Sequence, residues 1–381
     1  MLIRRRTARS PEAMTLGVEE EYLIVDQTSG ALLPRADHVT PHATVTMGET
    51  VSLELNLCQI EVATPVCRTL DEVRGHLRTL RLQLATAAEE TGYGVAAAGT
   101  HPFSRWQDQQ VDLGNDRYRQ MVDNYQIVAR QQVICGCHVH VGIADPDLAV
   151  ATMTRSRPWL PVLLALSANS PYWQGLDTGY ASYRLQVWQR WPTCGMPPAM
   201  TCRTEFDDLV EQLEAINAIE DPTFLYWYAR PSSRYPTLEF RAGDVCLSVD
   251  EAVAMAGLVR ALAWTSAAEA LGGRPLQPPR REVLDAAMWR ASRHGLDSTL
   301  VSPTGCGVRP VTEVVAELLD HVQDGLEAHG DRDEVTDLVA GIMARGNGAS
   351  RQRTAFARRG SGLDVINRIL EETSPGAIHR T

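Results

Sequence analysis

The stretch TLGVEEEYLIV at 15–25 sets three consecutive carboxylates inside an otherwise apolar run. Its β-branched and aromatic residues, followed by the turn-forming DQTSG, mark a strand. Strand side chains alternate, so Glu19 and Glu21 share one face with Thr15 and Gly17, while Glu20 joins Leu16, Val18 and Tyr22 on the other. Two carboxylates on one face repel each other and lose solvation if buried. A hard divalent ion such as Mg²⁺ would compensate them. A solvated edge strand is the plainer alternative.

Working outward, 51–62 (VSLELNLCQIEV) reads as one strand or two, and 93–98 as a short apolar strand. VICGCHVHVGI at 133–143 is rich in β-branched residues and reads as another. Segments 224–230 and 237–243 flank PSSRYP and predict a hairpin. Apolar residues recur at helical spacing over 70–90, 116–132, 148–168, 205–219 and 250–271. Pro158 and Pro161 must kink or split the third of these. After 275–279 the rest reads as helices over 281–293, 311–328, 333–344 and 363–372. Between them, 170–200 is a long loop with many Gly, Pro and Trp, a length usually kept for function. The strands lie in the first two-thirds without regular βαβ spacing, which favours α+β on an antiparallel sheet over a doubly wound fold. The expected organisation is one catalytic domain over 15–381 behind a disordered tail at 1–14, with Met14 as an alternative start.

Four more segments carry candidate chemistry. Glu54 and Glu61 each sit in an apolar run, but a spacing of seven puts them on opposite faces of one regular strand. Both reach one site only across a bulge or a break. In CGCHVH at 135–140, Cys135 and Cys137 share a face with Val139 and Val141, and His138 and His140 share the other with Gly136 and Gly142. One tetrahedral zinc site cannot easily draw on both faces, so a histidine beside a carboxylate–metal site fits better. Gly136 and Gly142 would let a ligand approach closely. A pair of hydrogen-bonded core histidines is the bland reading. In TLEFRAGD at 237–244, Glu239 and Arg241 share a face opposite Leu238 and Phe240. They make either a simple ion pair or a metal ligand beside a phosphate-binding arginine. From 338 to 363 there is no acidic residue, yet Arg345, Arg351, Arg353, Arg358 and Arg359 are present. GNGASRQR at 346–353 thus suits a polyanion such as the phosphates of ATP, or else a solvated basic helix end.

Composition prunes the options. The 381 residues are 44% hydrophobic and 22% charged, a globular balance that excludes disorder as the main state. A net charge of -11 argues against nucleic acid or an anionic membrane as the main partner. All 36 residues counted as Lys+Arg are Arg. Without lysine there is no P-loop lysine, no kinase-type lysine and no Schiff base. Phosphate must then be handled by Arg, backbone amides and metal ions. The eight scattered cysteines do not resemble a small disulfide scaffold. MLIRRRTARSPEAMT has no apolar stretch behind its charges, so it is no secretory signal. No run approaches about 18 apolar residues, and the expected setting is the cytoplasm with thiols reduced.

Seven segments together resemble the carboxylate-amine ligases of the glutamate–cysteine ligase type 2 family. They are GVEEEYLIVD at 17–26, QIEVATPV at 59–66, CGCHVHVGI at 135–143, NSPYWQGLDTGYASYR at 169–184, RWPTCG at 190–195, TLEFRAGDV at 237–245 and GNGASRQR at 346–353. They follow the family's order over nearly the whole chain, and 169–184 is the most specific. The resemblance implies a glutamine synthetase-like fold, an antiparallel sheet curved into a funnel around metals and ATP with helices outside. It implies Mg²⁺ or Mn²⁺ held by Glu19, Glu21, Glu54, Glu61, His138 and Glu239. Glu54 is the loosest match, and His140 is the alternative to His138. Arg241 matches a phosphate-contacting arginine. Arg184 is the candidate for gripping substrate carboxylate or phosphate, and Arg351 and Arg353 for the nucleotide. The implied reaction has a carboxylate attack the γ-phosphate of ATP, after which an amine displaces phosphate from the acyl phosphate. The family name supplies glutamate and cysteine as the pair, with weak activity expected and other amines open. The partners are then small molecules, with a homodimer allowed. A metal-dependent hydrolase built on the same carboxylates and histidines is the runner-up, and a nucleotide-binding protein without turnover a third reading.

Overall fold

The computed structural model describes residues 11–305 and 307–374. Its strands in chain order are β1 (Leu16–Asp26), β2 (Val51–Leu53), β3 (Gln59–Ala63), β4 (Tyr93–Ala96), β5 (Cys137–Gly142), β6 (Tyr172–Trp173), β7 (Leu176–Asp177), β8 (Ala229–Pro231), β9 (Thr237–Phe240), β10 (Thr299–Val301) and β11 (Val308–Pro310). Seven of them form one sheet in the order β2-β3-β1-β5-β9-β8, with β4 also on β1. Every pairing in it is antiparallel. The expected α+β class holds.

β1 is the spine because it is long enough to take three partners. Residues 19–23 pair with β3, 16–20 with β5 and 23–26 with β4. Leu16, Val18, Tyr22 and Ile24 are all buried on its back face. Helices Leu70–Glu90 and Val249–Leu271 pack behind it and against each other. Each such side chain contributes about 1.5–3 kcal/mol through burial. The first helix starts where the Thr69 side chain accepts from the Glu72 amide. The second starts with a capping box between Ser248 and Glu251.

Glu20 lies in this apolar layer and is fully buried. Arg81, from helix Leu70–Glu90, pairs with its carboxylate and also donates to the carbonyls of Cys246, Leu247 and Thr373. The Tyr22 hydroxyl is a further donor to Glu20. A buried charge survives only when so paired.

Several elements are shorter or more divided than the sequence suggests. The 116–132 helix splits into Asp116–Tyr125 and Ile127–Arg130, because Gln126 adopts a positive φ of 50°. The proline-bearing segment splits into Pro146–Ser156 and Leu160–Ser167. The 133–143 strand is confined to β5, and the 224–230 strand to β8. The long loop holds the β6–β7 hairpin and helix Tyr183–Trp188. The 311–328 helix divides at Val322. GNGASRQR is not an open phosphate loop: Asn347 caps helix Gly348–Arg359 by accepting from the Ser350 amide. Of the expected tail, residues 1–10 lie outside the described residues. Met14 is already buried, and its amide donates to His329 Nε2 at 3.1 Å.

Candidate active site

A cavity of about 600 Å³ opens on the sheet face opposite the two long helices. Strand alternation sends one set of side chains into it, and the pairing register sorts them into rows. Glu61 and Glu21 are direct partners across β3 and β1. Glu19 and His138 are partners across β1 and β5, and His140 and Glu239 across β5 and β9. Arg230 faces Glu239 from β8. Glu54 joins them because residues 54–58 form a turn between β2 and β3. That is the break its spacing from Glu61 required. Arg241 and Arg184 also line the cavity.

Two sets of ligand atoms lie close enough to share an ion. Glu19, His138 and Glu239 form one, and Glu21, Glu61 and His138 the other, each with its atoms within 4.8 Å of one another. His138 belongs to both, whereas His140 belongs to neither among the described residues. His138 Nδ1 lies 3.3 Å from Glu19 and its Nε2 3.8 Å from Glu21. His140 is tied differently, with Nδ1 2.9 Å from the Thr237 hydroxyl and Nε2 3.3 Å from Glu19.

Charge divides the site. Burial alone would raise Glu19, but His138 and His140 hold it well below the usual carboxylate range. Glu239 is held low in the same way, by Arg241 and Arg230 against burial. Arg230 Nε donates to its Oε2 at 2.8 Å, and Arg241 pairs with Oε1. Glu21, Glu54 and Glu61 go the other way. Burial, then the Glu54 charge, pushes Glu21 up to about 7. Burial raises Glu61 strongly, with Glu19, Glu54 and Glu21 adding repulsion. Burial also raises Glu54. Burial and then Arg241 push His138 down to about 4, leaving the neutral imidazole that binds metals. Crowded carboxylates around a neutral imidazole are the donor set a hard divalent cation fits, since it relieves their mutual repulsion.

Arg184 reaches the cavity from helix Tyr183–Trp188 and is buried. Its guanidinium lies over the Trp188 ring at 4.7 Å. Gly136 permits this seat, since a Cβ there would collide with the guanidinium. The expected opening for a ligand beside Gly136 and Gly142 is therefore corrected: protein fills both, with Arg184 at the first and Thr15 at the second.

The structure does not bring Arg351 and Arg353 to this cavity. Arg351 is ion-paired with Glu251 and Glu372. Arg353 makes a bidentate pair with Asp177 and a bond to the Tyr180 carbonyl. The acid-free stretch finds its acids elsewhere in the chain. Sequence reasoning also missed Arg117, Tyr118, Trp188, Trp191, Tyr226 and Arg230, which line the wall. Arg230 had a readable signal only for someone who already knew the β8–β9 register.

The model of glutamate–cysteine ligase family 2 matches residues 15–376. The chain belongs to that family. Its members are carbon–nitrogen ligases by name. A Rhodopirellula baltica member, provisionally named glutamate–cysteine ligase 2, is 40% identical and covers 96% of this chain and 98% of its own length. A Frankia casuarinae member, provisionally named glutamate–cysteine ligase 2-2, is 44% identical over 94% of this chain. This chain spans only 41% of that protein's length. Among solved structures, a bifunctional glutathione synthetase from Pasteurella multocida superposes with a TM-score of 0.70 at 16% identity, covering 95% of this chain and 52% of the other. A glutamate–cysteine ligase from Francisella tularensis, solved in complex with AMP, gives 0.68 at 13% identity, covering 96% and 90%. At such identities the likeness is one of fold. Among the described residues of this family member, no helix is long and apolar enough to cross a membrane.

Proposed function

We propose that the chain is an ATP-dependent carboxylate-amine ligase working through an acyl phosphate, with glutamate and cysteine as the first pair to test. The observation that carries this reading is the pair of carboxylate–histidine sets sharing His138, with Arg241 and Arg184 on the same cavity wall. Glu19, Glu21, Glu54, Glu61, His138 and Glu239 would hold Mg²⁺ or Mn²⁺. Such ions, when bound, offset phosphate charge during transfer. Arg241 grips the γ-phosphate, restrained by its ion pair with Glu239. Arg184, seated over Trp188, holds the substrate carboxylate or the phosphoryl oxygens, so that the two reacting groups meet at a fixed distance. This division of labour suits a chain that has arginine and no lysine.

Phosphate release from ATP with Mg²⁺ tests the reading, using glutamate and a panel of amines including cysteine, with each substrate omitted in turn. Release that requires both carboxylate and amine is the expected result and names the substrates. ATP binding without coupled release across the panel would defeat the ligase reading for those substrates. Water-driven turnover without nucleotide would favour a hydrolase.

A further inference from the structure

The segment 169–184 carries the most specific family match, yet of its residues only Arg184 lines the cavity. Three of its polar residues, Asn169, Ser170 and Ser182, are buried and gather around Asp244. Asn169, Ser170, Ser182 and Asp244 are each at most 1% exposed. Asp244 Oδ2 accepts from the Asn169 amide at 2.8 Å and the Ser170 hydroxyl at 2.6 Å. Its Oδ1 accepts from the Ser182 hydroxyl at 2.7 Å. Ser170 Oγ in turn accepts from the Arg184 amide at 2.9 Å. One carboxylate thus closes the loop on itself and fixes the first turn of helix Tyr183–Trp188, from which Arg184 projects.

The same network reaches the C-terminal segment. Gln352 Nε2 donates to the Asn169 carbonyl at 3.0 Å and to its Oδ1 at 2.8 Å. Asn169 Nδ2 donates to the carbonyls of Ala97 and Val245. Gly348 packs so tightly on Asn169 that a Cβ there would overlap its side chain. The residues of GNGASRQR therefore touch the loop that carries Arg184, not the cavity. Three stretches far apart in sequence meet in one buried polar cluster, which is costly unless every member is satisfied.

We propose that Asp244 is a positioning residue for Arg184, and that Gln352 extends this role to the C-terminal segment through Asn169. The proposal rests on the reading that Arg184 contacts reacting groups. Asp244 contributes its acceptor oxygens, so Asn should largely replace it: the amide oxygen serves Asn169 and Ser170, and the Ser182 hydroxyl can turn to accept from the amide nitrogen. Displacing a clamp by about 1 Å can cost about a hundredfold in rate.

The test is a double-mutant cycle in the full chain, Asp244→Ala with Arg184→Ala, read by coupled phosphate release, together with crystal structures of the Asp244 variants. Asp244→Ala should lower kcat about tenfold to a hundredfold with little change in the KM for ATP. It should add almost nothing in the Arg184→Ala background, because the two losses are one loss. Asp244→Asn should recover most of the rate. Ser182→Ala, a gentler change, repeats the cycle if Asp244→Ala does not fold. Losses that multiply, or an Asn variant as poor as Ala in a folded protein, would overturn the proposal. The structures decide independently of activity: Arg184 should leave its seat over Gly136 in the Ala variants, and an unmoved guanidinium contradicts the inference. A wild-type protein without coupled release would sink the ligase reading alone, leaving positioning to that structural comparison.

Discussion

Glu19, Glu20 and Glu21 are chemically identical neighbours with three different fates. Glu19 is held ionised by two histidines, Glu21 is pushed up to about 7 by burial and by Glu54, and Glu20 is locked to Arg81 behind the sheet. Alternation made the separation of Glu20 from Glu19 and Glu21 legible in the sequence, because a period of two needs no knowledge of partners, but it left Glu19 and Glu21 alike. His138 was legible only as one of two histidines on a face. The structure separates them, since only His138 reaches both carboxylate sets. His138→Ala should therefore weaken Mn²⁺ binding, followed by titration calorimetry, more than His140→Gln does, the latter by about tenfold. Equal losses would remove the distinction. His101 offers a separate test far from this cluster. It is buried, its Nδ1 accepting from the amides of Phe103 and Ser104 and its Nε2 lying 2.9 Å from the Gly30 carbonyl. Burial pushes its pKa down to about 4. Between about pH 6.5 and 4 the unfolded chain binds a proton that the folded chain refuses. The stability His101 contributes is full above about pH 6.5 and falls as pH drops to about 4, by at most about 3 kcal/mol. Chemical denaturation across that range should show a shallower slope for His101→Gln than for wild type. Parallel slopes would mean that His101 does not titrate this way.

At the scale of elements, the buried Glu20–Arg81 pair ties β1 to helix Leu70–Glu90 and to the backbone at Thr373. A one-residue slip of β1 would turn Glu19 and Glu21 into the core, so the pair helps to hold the register on which the site depends. Glu20→Ala strands a buried guanidinium and should cost about 3–5 kcal/mol in urea denaturation. A double Glu20→Leu, Arg81→Met variant removes the stranded charge but leaves the carbonyls of Cys246, Leu247 and Thr373 without this donor, so it should recover only part of that loss. Gly136→Ala is predicted to dislodge Arg184 and cut turnover while leaving thermal unfolding near that of wild type. The helices with strong caps and period were readable, Leu70–Glu90 to the residue. GNGASRQR was not, because glycine and arginine suggest phosphate until their partners are known. Those partners, Glu251, Glu372 and Asp177, come from other elements, as far as 176 residues away. Likewise no local pattern marks the turn at Gln126 or the pairing of Arg230 with Glu239.

For the whole molecule, the antiparallel sheet was readable because the family's motifs fall on strands β1, β3, β5 and β9 and their flanks, whereas the order of strands within it was not. The chain carries a net charge of -11, yet the cavity wall presents Arg117, Arg184, Arg230, Arg234 and Arg241 beside its carboxylates. That mixture suits a reaction that passes a phosphoryl group from ATP to a carboxylate oxygen and then releases it as phosphate when an amine attacks the acyl carbon. The most direct test uses the carboxylate substrate that supports coupled release, labelled with ¹⁸O in the reacting carboxyl group. Mass spectrometry of the phosphate released with the amide product should find one carboxylate oxygen transferred to each phosphate, as an acyl phosphate requires. Phosphate without label, its new oxygen drawn from water, would contradict the account.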